Sequence, residues 1–220
     1  MNRSEAIERI REVGVMPVIR VSSSDEALRA IGAVAAGGIN VVEITMTVPG
    51  ALAAIERATN AYGSDVVIGA GTVLDPETAR ACVLAGARFI VAPSLDVRTV
   101  ELCRRYSVPV LPGALTPTEI VAAWQAGADM VKVFPCGAMG GAKYLRALKG
   151  PLPQIEMLPT GGVSLETAAD LIRAGASALG VGSELITTAA LRRGEDAQIT
   201  QKARRFVEIV REARSTRHEN

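Results

Sequence analysis

Residues 24–45, SDEALRAIGAVAAGGINVVEIT, contain the two patterns that decide the fold of this chain. Residues 24–26 supply a capping serine and two acidic side chains, which favour the start of a helix. The Ala-Gly pair at residues 36–37 favours its end. The apolar run at residues 41–45 is short and rich in β-branched side chains, as buried parallel strands are. The segment is therefore predicted to be one helix followed by one strand.

The same alternation of helix and strand extends along the chain in both directions. Seven further apolar runs of strand length lie at residues 15–19, 66–70, 89–92, 108–111, 130–134, 155–158 and 178–181. Helix starts recur at residues 75–77, 116–119 and 164–166, and left-handed glycine caps are predicted at Gly37, Gly86, Gly127 and Gly175. Eight strand–helix repeats predict an α/β fold of the (β/α)8 TIM-barrel type, with a doubly wound open sheet as the alternative.

A single domain is expected over residues 1–220, because no linker or low-complexity segment divides them. Residues 1–13 are predicted to form an extra N-terminal capping helix that covers the bottom of the barrel. The last helix is predicted at residues 198–213, and residues 215–220 are predicted to be a frayed tail.

The composition limits the possible functions. A formal net charge of +1 gives no reason to expect a nucleic-acid or membrane-surface partner. Aromatic residues make up only 3% of the chain, so small branched side chains must fill most of the core. Trp124 is expected to belong to the core as well. Three dispersed cysteines and a single histidine argue against a structural zinc site and for the reducing cytoplasm. No signal peptide and no membrane span is expected.

Lys132 is the most informative residue in the chain. It is one of four lysines against twenty arginines, and it alone lies within an apolar strand, between Val131 and Val133. Period-two alternation turns those valines outward against the helices and Lys132 into the barrel. Loss of hydration there favours the free amine, which can attack a ketone. A buried ion pair or a phosphate-binding cation is the alternative reading.

Glu43 lies in a similar setting in the second strand, between Val42 and Ile44. Alternation turns it inward as well, and a buried carboxyl is expected to have a raised pKa suited to proton transfer near neutral pH. The alternative is that Glu43 only neutralises Lys132. Both readings bring the two side chains into one pocket.

The C-terminal ends of the strands are where a barrel of this kind carries its site, and phosphate often binds after strands seven and eight. Glycines at residues 161–162 and 180–182 follow those two strands, and they let backbone N–H groups approach an anion. Glycines also make ordinary turns, but at these two positions together they predict an anionic substrate. The rim also carries Arg20, Thr45, Thr47, Gly71, Thr72, Pro93, Ser94, Thr116, Thr160 and Ser183.

Six motifs in this order give the chain a family resemblance. They are GGINVVEIT (37–45), GAGTVL (69–74), PGALTPTE (112–119), VKVFP (131–135), LPTGGV (158–163) and GVGS (180–183). Over nearly its whole length the chain resembles the bacterial 2-keto-3-deoxy-6-phosphogluconate (KDPG) and 4-hydroxy-2-oxoglutarate (KHG) aldolases. The resemblance implies a class I aldolase that needs no metal or cofactor, acts on a small-molecule keto acid and is usually a homotrimer.

The resemblance also implies roles for the site residues. Lys132 would form an imine with the keto carbon of the substrate, and Glu43 would move protons. The remaining expectations are Thr72 at the carboxylate, Pro93, Phe134 and Thr160 in the pocket, and Gly161, Gly162 and Ser183 at the phosphate. The products would be pyruvate with glyceraldehyde 3-phosphate from KDPG, or with glyoxylate from KHG.

One position departs from the family pattern. Many members carry an arginine four residues after the glutamate, where this chain has Thr47 in the pocket. Arg20, at the end of the first strand, faces the same rim and is predicted to bind the carboxylate instead. The departure leaves the substrate preference open.

Two other functions compete with this interpretation. Another phosphate-binding barrel enzyme, such as an epimerase or a thiamine-phosphate-synthase-like transferase, would share the glycine-rich rim but would not need an inward lysine. A non-catalytic phosphosugar-binding barrel or trimeric scaffold would need neither Lys132 nor Glu43. Decarboxylation of oxaloacetate through the same imine is an expected side activity.

Overall fold

A computed structural model describes residues 1–216, whose parallel strands form a barrel with the helices outside it. The strands are β1 (Val15–Ile19), β2 (Val41–Thr45), β3 (Val67–Gly71), β4 (Ile90–Val91), β5 (Val110–Leu111), β6 (Gly113–Ala114), β7 (Val131–Val133), β8 (Met157–Pro159) and β9 (Leu179–Val181). The helices are α1 (Arg3–Val13), α2 (Ser24–Ala36), α3 (Ala51–Tyr62), α4 (Pro76–Leu84), α5 (Val97–Arg105), α6 (Pro117–Ala126), α7 (Ala142–Lys149), α8 (Ala168–Arg173), α9 (Thr188–Arg192) and α10 (Asp196–Ser215), with a 3₁₀ turn at Gly137–Met139. Within residues 1–216, no helix combines the length and the apolar character that crossing a membrane requires.

Two hydrogen-bonded parallel sheets form the barrel wall. One has the strand order β5-β4-β3-β2-β1-β9, and the other has the order β6-β7-β8. The chain itself connects β5 to β6, and a parallel bridge between Thr160 and Gly180 connects the end of β8 to β9. The predicted (β/α)8 barrel with an extra N-terminal helix is confirmed, and the open doubly wound sheet is not formed.

The fifth strand is interrupted at Pro112, which separates β5 from β6. Proline has no N–H to donate to a neighbouring strand, so the regular ladder breaks there. The carbonyl of Pro112 still accepts a hydrogen bond of 2.9 Å from the backbone N–H of Lys132. The predicted sixth strand, which carries the lysine, is therefore β7.

Several helix ends differ by a residue or two from their predicted positions. The hydroxyl of Ser23, rather than a residue of the 24–26 segment, caps α2 by accepting from the N–H of Glu26. Gly37 has an ordinary φ of −88°, and its neighbour Gly38 takes the left-handed conformation. A Cβ at Gly37 would lie 2.4 Å from the Cβ of Ala203, so α10 requires glycine there for close packing. Helix α10 extends over residues 196–215, and residues 217–220 of the predicted tail lie outside the described part of the chain.

The apolar core has two parts. The larger part lies between the strands and the surrounding helices. The smaller part, called the bottom layer here, fills the barrel at the N-terminal ends of the strands and comprises Ala6, Ile7, Ile10, Met16, Val41, Val67, Phe89, Val91, Leu111, Met130, Leu158 and Ala178. Helix α1 contributes three of these side chains and so covers this end of the barrel. The expectation that Trp124 belongs to the core is wrong, because its side chain is 45% exposed on α6.

Arg214, near the end of α10, fixes α1 in this position. Its guanidinium donates to the carbonyls of Glu12 (2.9 Å) and Arg11 (2.7 Å), which are in the last turn of α1. It also donates to the carbonyl of Ser177, just before β9 (2.9 Å). Carbonyls in the last turn of a helix lack partners within the helix, so one side chain both caps α1 and holds it against the barrel.

Candidate active site

Lys132 and Glu43 meet inside the upper half of the barrel. The neighbours of Lys132 on β7, Val131 and Val133, pack into the outer core, as the alternation predicts. Lys132 itself is 5% exposed and Glu43 is fully buried, and Lys132 Nζ lies 3.9 Å from Glu43 Oε1. The two side chains that the sequence selects therefore face each other.

The space for the Glu43 carboxylate comes from the next strand. β2 pairs with β3 in the register that sets Glu43 beside Gly69 and Thr45 beside Gly71. A Cβ at Gly71 would lie 2.5 Å from Glu43 Oε1, so glycine is required at that position. Neither carboxylate oxygen accepts a hydrogen bond from a described residue. Both oxygens are thus free to accept from a bound molecule.

The electrostatic setting of Glu43 suits proton transfer. Burial raises the pKa of this carboxyl, because the charged form is poorly solvated there. The positive charges of Lys132 and, to a smaller extent, Arg20 act in the opposite direction. The net direction is upward, as the sequence predicts. A carboxyl with a raised pKa can both accept and return a proton near neutral pH.

The amine of Lys132 also lies near an aromatic ring. Its Nζ lies 5.3 Å from the centre of the Phe134 ring. Lys132 is also in register with Gly113 on β6. A Cβ at Gly113 would lie 2.2 Å from the backbone of Pro93, so the end of the fourth strand packs directly against this part of the wall. Pro93 and Lys132 therefore lie on opposite sides of β6.

A cavity of about 430 Å³ opens at this end of the barrel, and its lining includes Phe134, whose ring centre lies 5.3 Å from Lys132 Nζ. Six of the residues predicted for the site contribute to its lining, namely Arg20, Phe134, Thr160, Gly161, Gly162 and Ser183. Phe134 lines the end of the cavity nearest to the Lys132 amine, and Ser183 lines the end with the glycine-rich turns. Five of the residues predicted for the site are not part of this lining, namely Lys132, Glu43, Thr47, Thr72 and Pro93; the last three each follow a barrel strand at the same rim.

The glycine-rich end of the cavity can bind an anion. Gly161 and Gly162 have left-handed φ angles of 84° and 76°. The backbone N–H groups of Gly162 and Ser183 donate to no described residue. Free N–H groups at adjacent turns attract phosphate or carboxylate oxygens. Nearby Thr160 is buried, and Gly180 makes room for it, since a Cβ there would lie 2.2 Å from Thr160 Oγ1.

The hydroxyls of Thr45 and Thr47 form a hydrogen-bond chain in which the donor of each bond can be assigned. The hydroxyl of Thr45 donates to the carbonyl of Ile19 (3.0 Å), which uses its only proton. In the 2.7 Å contact between the two hydroxyls, Thr47 is therefore the donor. Thr47 then has only lone pairs to offer at the rim and cannot donate to a carboxylate. Arg20, exposed and in the cavity lining, has the donors that Thr47 lacks.

Thr72 has an unusual backbone conformation. Its φ of 57° is in the left-handed region, which costs a β-branched residue about 1–3 kcal/mol. Hydrogen bonds on both sides hold the segment, from Met46 N to Gly71 O (2.8 Å) and from Val73 N to Val91 O (3.2 Å). Strain of this kind is maintained where the surrounding structure positions a side chain for use.

The sequence reading missed part of the cavity. The cavity lining also includes Val18, Glu184, Ile186, Thr187 and Thr188. Val18 could have been found, because it is the inward residue of β1 in register with Glu43. The other four follow the GVGS motif in a segment that resembles an ordinary helix start, so local sequence gave no signal for them.

Fold and site together define a class of protein. A closed α/β barrel that buries a lysine against a carboxyl at the C-terminal ends of its strands, where a cavity with a glycine-rich lining opens, has the parts of an enzyme that works through a lysine imine. Within residues 1–216, no three His, Cys, Asp or Glu side chains come together as they would in a metal site.

Comparison with known proteins identifies the family. The family model for KDPG and KHG aldolase matches residues 6–202. The 2-dehydro-3-deoxy-phosphogluconate aldolase of Pseudomonas aeruginosa is 36% identical over 93% of this chain and 92% of its own length. The 2-dehydro-3-deoxy-6-phosphogalactonate aldolase of Escherichia coli is 38% identical over 90% of this chain and 95% of its own length. The chain belongs to the KDPG and KHG aldolase family.

Solved structures agree with this assignment. KDPG aldolase from Legionella pneumophila, with pyruvate captured at low pH as a covalent carbinolamine, has a TM-score of 0.83 and 30% identity over 90% of this chain and 96% of its own. A cube-shaped protein cage designed by fusing symmetric oligomeric domains has a TM-score of 0.86 and 34% identity over 94% of this chain and 75% of its own.

Proposed function

We propose that this chain cleaves KDPG into pyruvate and glyceraldehyde 3-phosphate, and KHG into pyruvate and glyoxylate, through an imine on Lys132. The observation that carries the proposal is the buried pair itself, with Lys132 Nζ 3.9 Å from Glu43 Oε1 beside an anion-binding cavity. The Legionella relative supports it, because pyruvate forms a covalent carbinolamine in that protein.

The first half of the reaction joins the substrate to the enzyme. Glu43 takes a proton from the ammonium of Lys132, and the amine then attacks the C2 keto carbon to form a carbinolamine. Loss of water then leaves a protonated imine, and Glu43 supplies and takes back the protons that these steps require. The carboxylate oxygens of Glu43 have no hydrogen-bond partner among the described residues, so they are available for this transfer.

The second half breaks the carbon–carbon bond. Glu43 takes the proton of the C4 hydroxyl, the C3–C4 bond breaks, and its electron pair moves into the protonated imine to give an enamine. The aldehyde product leaves. Protonation of C3 by Glu43 regenerates the imine, and water releases pyruvate and the free amine of Lys132.

The remaining site residues bind the two ends of the substrate. Arg20 is proposed to hold the carboxylate through its guanidinium, with Thr72 beside it. The N–H groups of Gly161, Gly162 and Ser183 are proposed to bind the phosphate. Thr47, Pro93, Phe134 and Thr160 are proposed as pocket residues. The galacto-configured phosphate is the second candidate substrate, because the E. coli relative named for it is 38% identical.

We also propose that the enzyme is a homotrimer in the cytoplasm. The similarity to a cage built from symmetric oligomeric domains supports an assembly of identical chains. The three cysteines Cys82, Cys103 and Cys136 are buried free thiols, which suits a reducing compartment.

The test is to trap the imine. The protein is incubated with pyruvate and sodium borohydride and weighed intact, alongside Lys132→Ala and, as a matched control, Lys143→Ala at an exposed position on α7. We expect the parent and the Lys143 variant to gain one reduced pyruvate and the Lys132 variant to gain none. If the parent gains nothing, the aldolase proposal is wrong and a phosphosugar-binding barrel or scaffold takes its place.

A further inference from the structure

The turn after β9 holds a hydrogen-bond pattern that connects the cavity to α10. The carbonyl of Gly182 accepts from the N–H groups of Leu185 (3.0 Å) and Ile186 (3.1 Å), which makes one turn of helix. The first N–H groups of such a turn have no acceptor within it. They belong to Ser183 and Glu184, and both residues line the cavity.

The other side of this turn is bound by a lysine. Lys202 Nζ donates to the carbonyl of Glu184 at a distance of 2.8 Å. The donor lies on α10, 18 residues further along the chain. A hydrogen bond from an ammonium group is stronger than one between neutral groups, so this contact constrains the turn more than an ordinary turn contact would.

Three hydrogen-bonding groups follow one another from Lys202 to the cavity. The ammonium of Lys202 polarises the peptide unit between Glu184 and Leu185 through its carbonyl. The N–H of that unit donates to the carbonyl of Gly182, which polarises the peptide unit between Gly182 and Ser183. The N–H of Ser183 is the free end of the series. Hydrogen bonds arranged in series strengthen one another, so the charge of Lys202 makes this N–H a better donor to an anion.

We propose that Lys202 is a positioning residue for the phosphate of the substrate, acting on the Ser183 N–H through these two peptide units. The inference rests on the proposed function, which assigns the phosphate to this end of the cavity. Lys202 itself is not in the cavity lining, so it orients and polarises the turn without touching the ligand.

The position of α10 does not depend on Lys202. Ile199, Ala203, Phe206 and Val210 of the helix are buried in the core. The hydroxyl of Thr200 also donates to the carbonyl of Ala33 on α2 (2.9 Å). Loss of the lysine therefore leaves the helix in place and affects the turn.

The experiment compares Lys202→Met, Lys202→Arg and the control Lys143→Met. For each, KM and kcat are measured with KDPG and with KHG, which has no phosphate, and inorganic phosphate is tested as a competitive inhibitor. We expect Lys202→Met to raise the KM for KDPG and the Ki of phosphate about three- to tenfold, with kcat within about twofold. The KM for KHG is expected to stay at the parent value, and Lys202→Arg is expected to restore most of the loss because it keeps the charge.

Two results would overturn the inference. One is an unchanged Ki for phosphate in Lys202→Met. The other is an equal rise in KM for both substrates, which would indicate general damage to the site. Failure of the proposed function is recognised separately, because the parent protein would then form no borohydride-trapped adduct with pyruvate.

Discussion

The two ends of the barrel interior have opposite chemistry although the same strands build both. At the N-terminal ends, the bottom layer is apolar throughout and is covered by α1. At the C-terminal ends, Glu43 and Lys132 are just as buried but polar, and a cavity of about 430 Å³ opens at the same end. Burial therefore stabilises the packing at one end and raises the pKa of the Glu43 carboxyl at the other.

Single strands contribute to both ends in succession. On β2, Val41 belongs to the bottom layer and Glu43, two residues later, to the site. On the lysine strand, Met130 belongs to the bottom layer and Lys132 to the site. A strand period of two keeps such pairs on the same inward face. On each of these strands, a bottom-layer residue and a site residue are thus only two positions apart. The following predictions test whether a change at one end of the barrel leaves the other end unaffected.

The largest expected effect is from Glu43→Gln, which keeps the shape of the side chain but removes its proton transfer. We expect kcat to fall by about 10²- to 10⁴-fold in steady-state assays with KDPG. The matched control is Val41→Ala on the same face of the same strand, which should retain kcat while losing about 2 kcal/mol of unfolding free energy. A comparable fall of kcat in both variants would mean that the two ends are not separate.

The next effect is on stability alone. Ile10→Ala in α1 removes a buried side chain from the bottom layer and should lower the unfolding free energy by about 2–5 kcal/mol. We expect kcat/KM of the folded protein to remain within about twofold, since the site lies at the opposite end. Urea denaturation followed by circular dichroism measures the change, and Glu12→Gln on the exposed side of α1 is the control. Loss of activity before unfolding would show that α1 also supports the site.

The smallest effect is a shift in a pH profile. The charge of Arg20 acts to lower the pKa of Glu43, so Arg20→Met should raise that pKa further. Because Glu43 must be ionised to accept the hydroxyl proton, the acid limb of log kcat/KM against pH should move to higher pH. Arg20→Lys keeps the charge and should leave the limb near its original position, although both variants are expected to raise KM. An acid limb that stays in place in Arg20→Met would remove Glu43 as the group that controls it.

The sequence predicts the parts of the molecule in which local pattern and tertiary structure agree. Runs of β-branched residues predict the strands, and alternation predicts the inward direction of Lys132 and Glu43. The interruption at Pro112 was not predicted, since a proline within an apolar run fits either a strand end or a break. Trp124 was misplaced because an aromatic residue on an amphipathic helix suggests the core, whereas its side chain is almost half exposed.

Contacts between distant residues account for what could not be predicted. Lys202 lies in a polar stretch of α10 that resembles any solvated helix face, and its role depends on a carbonyl that only the fold brings near. The requirement for glycine at position 71 could not be predicted from local sequence either. Nothing local indicates that its missing Cβ leaves room for Glu43, because the clash exists only in the β2–β3 register.

The contact of Arg214 with α1 has a consequence for the order of events during synthesis. Arg214 donates to the carbonyl of Arg11, 203 residues earlier in the chain. At about 5–20 residues per second, a ribosome needs roughly 10–40 s to make the intervening segment. Throughout that interval the last-turn carbonyls of α1 lack the guanidinium that binds them in the folded protein, and the helix relies on its buried side chains and on the ion pairs of Arg3 with Asp129 and of Arg11 with Glu156. A chain that terminates before Arg214 would lack this cap, so the C-terminal end of α1 is expected to fray and to be cleaved by proteases faster than in the full chain.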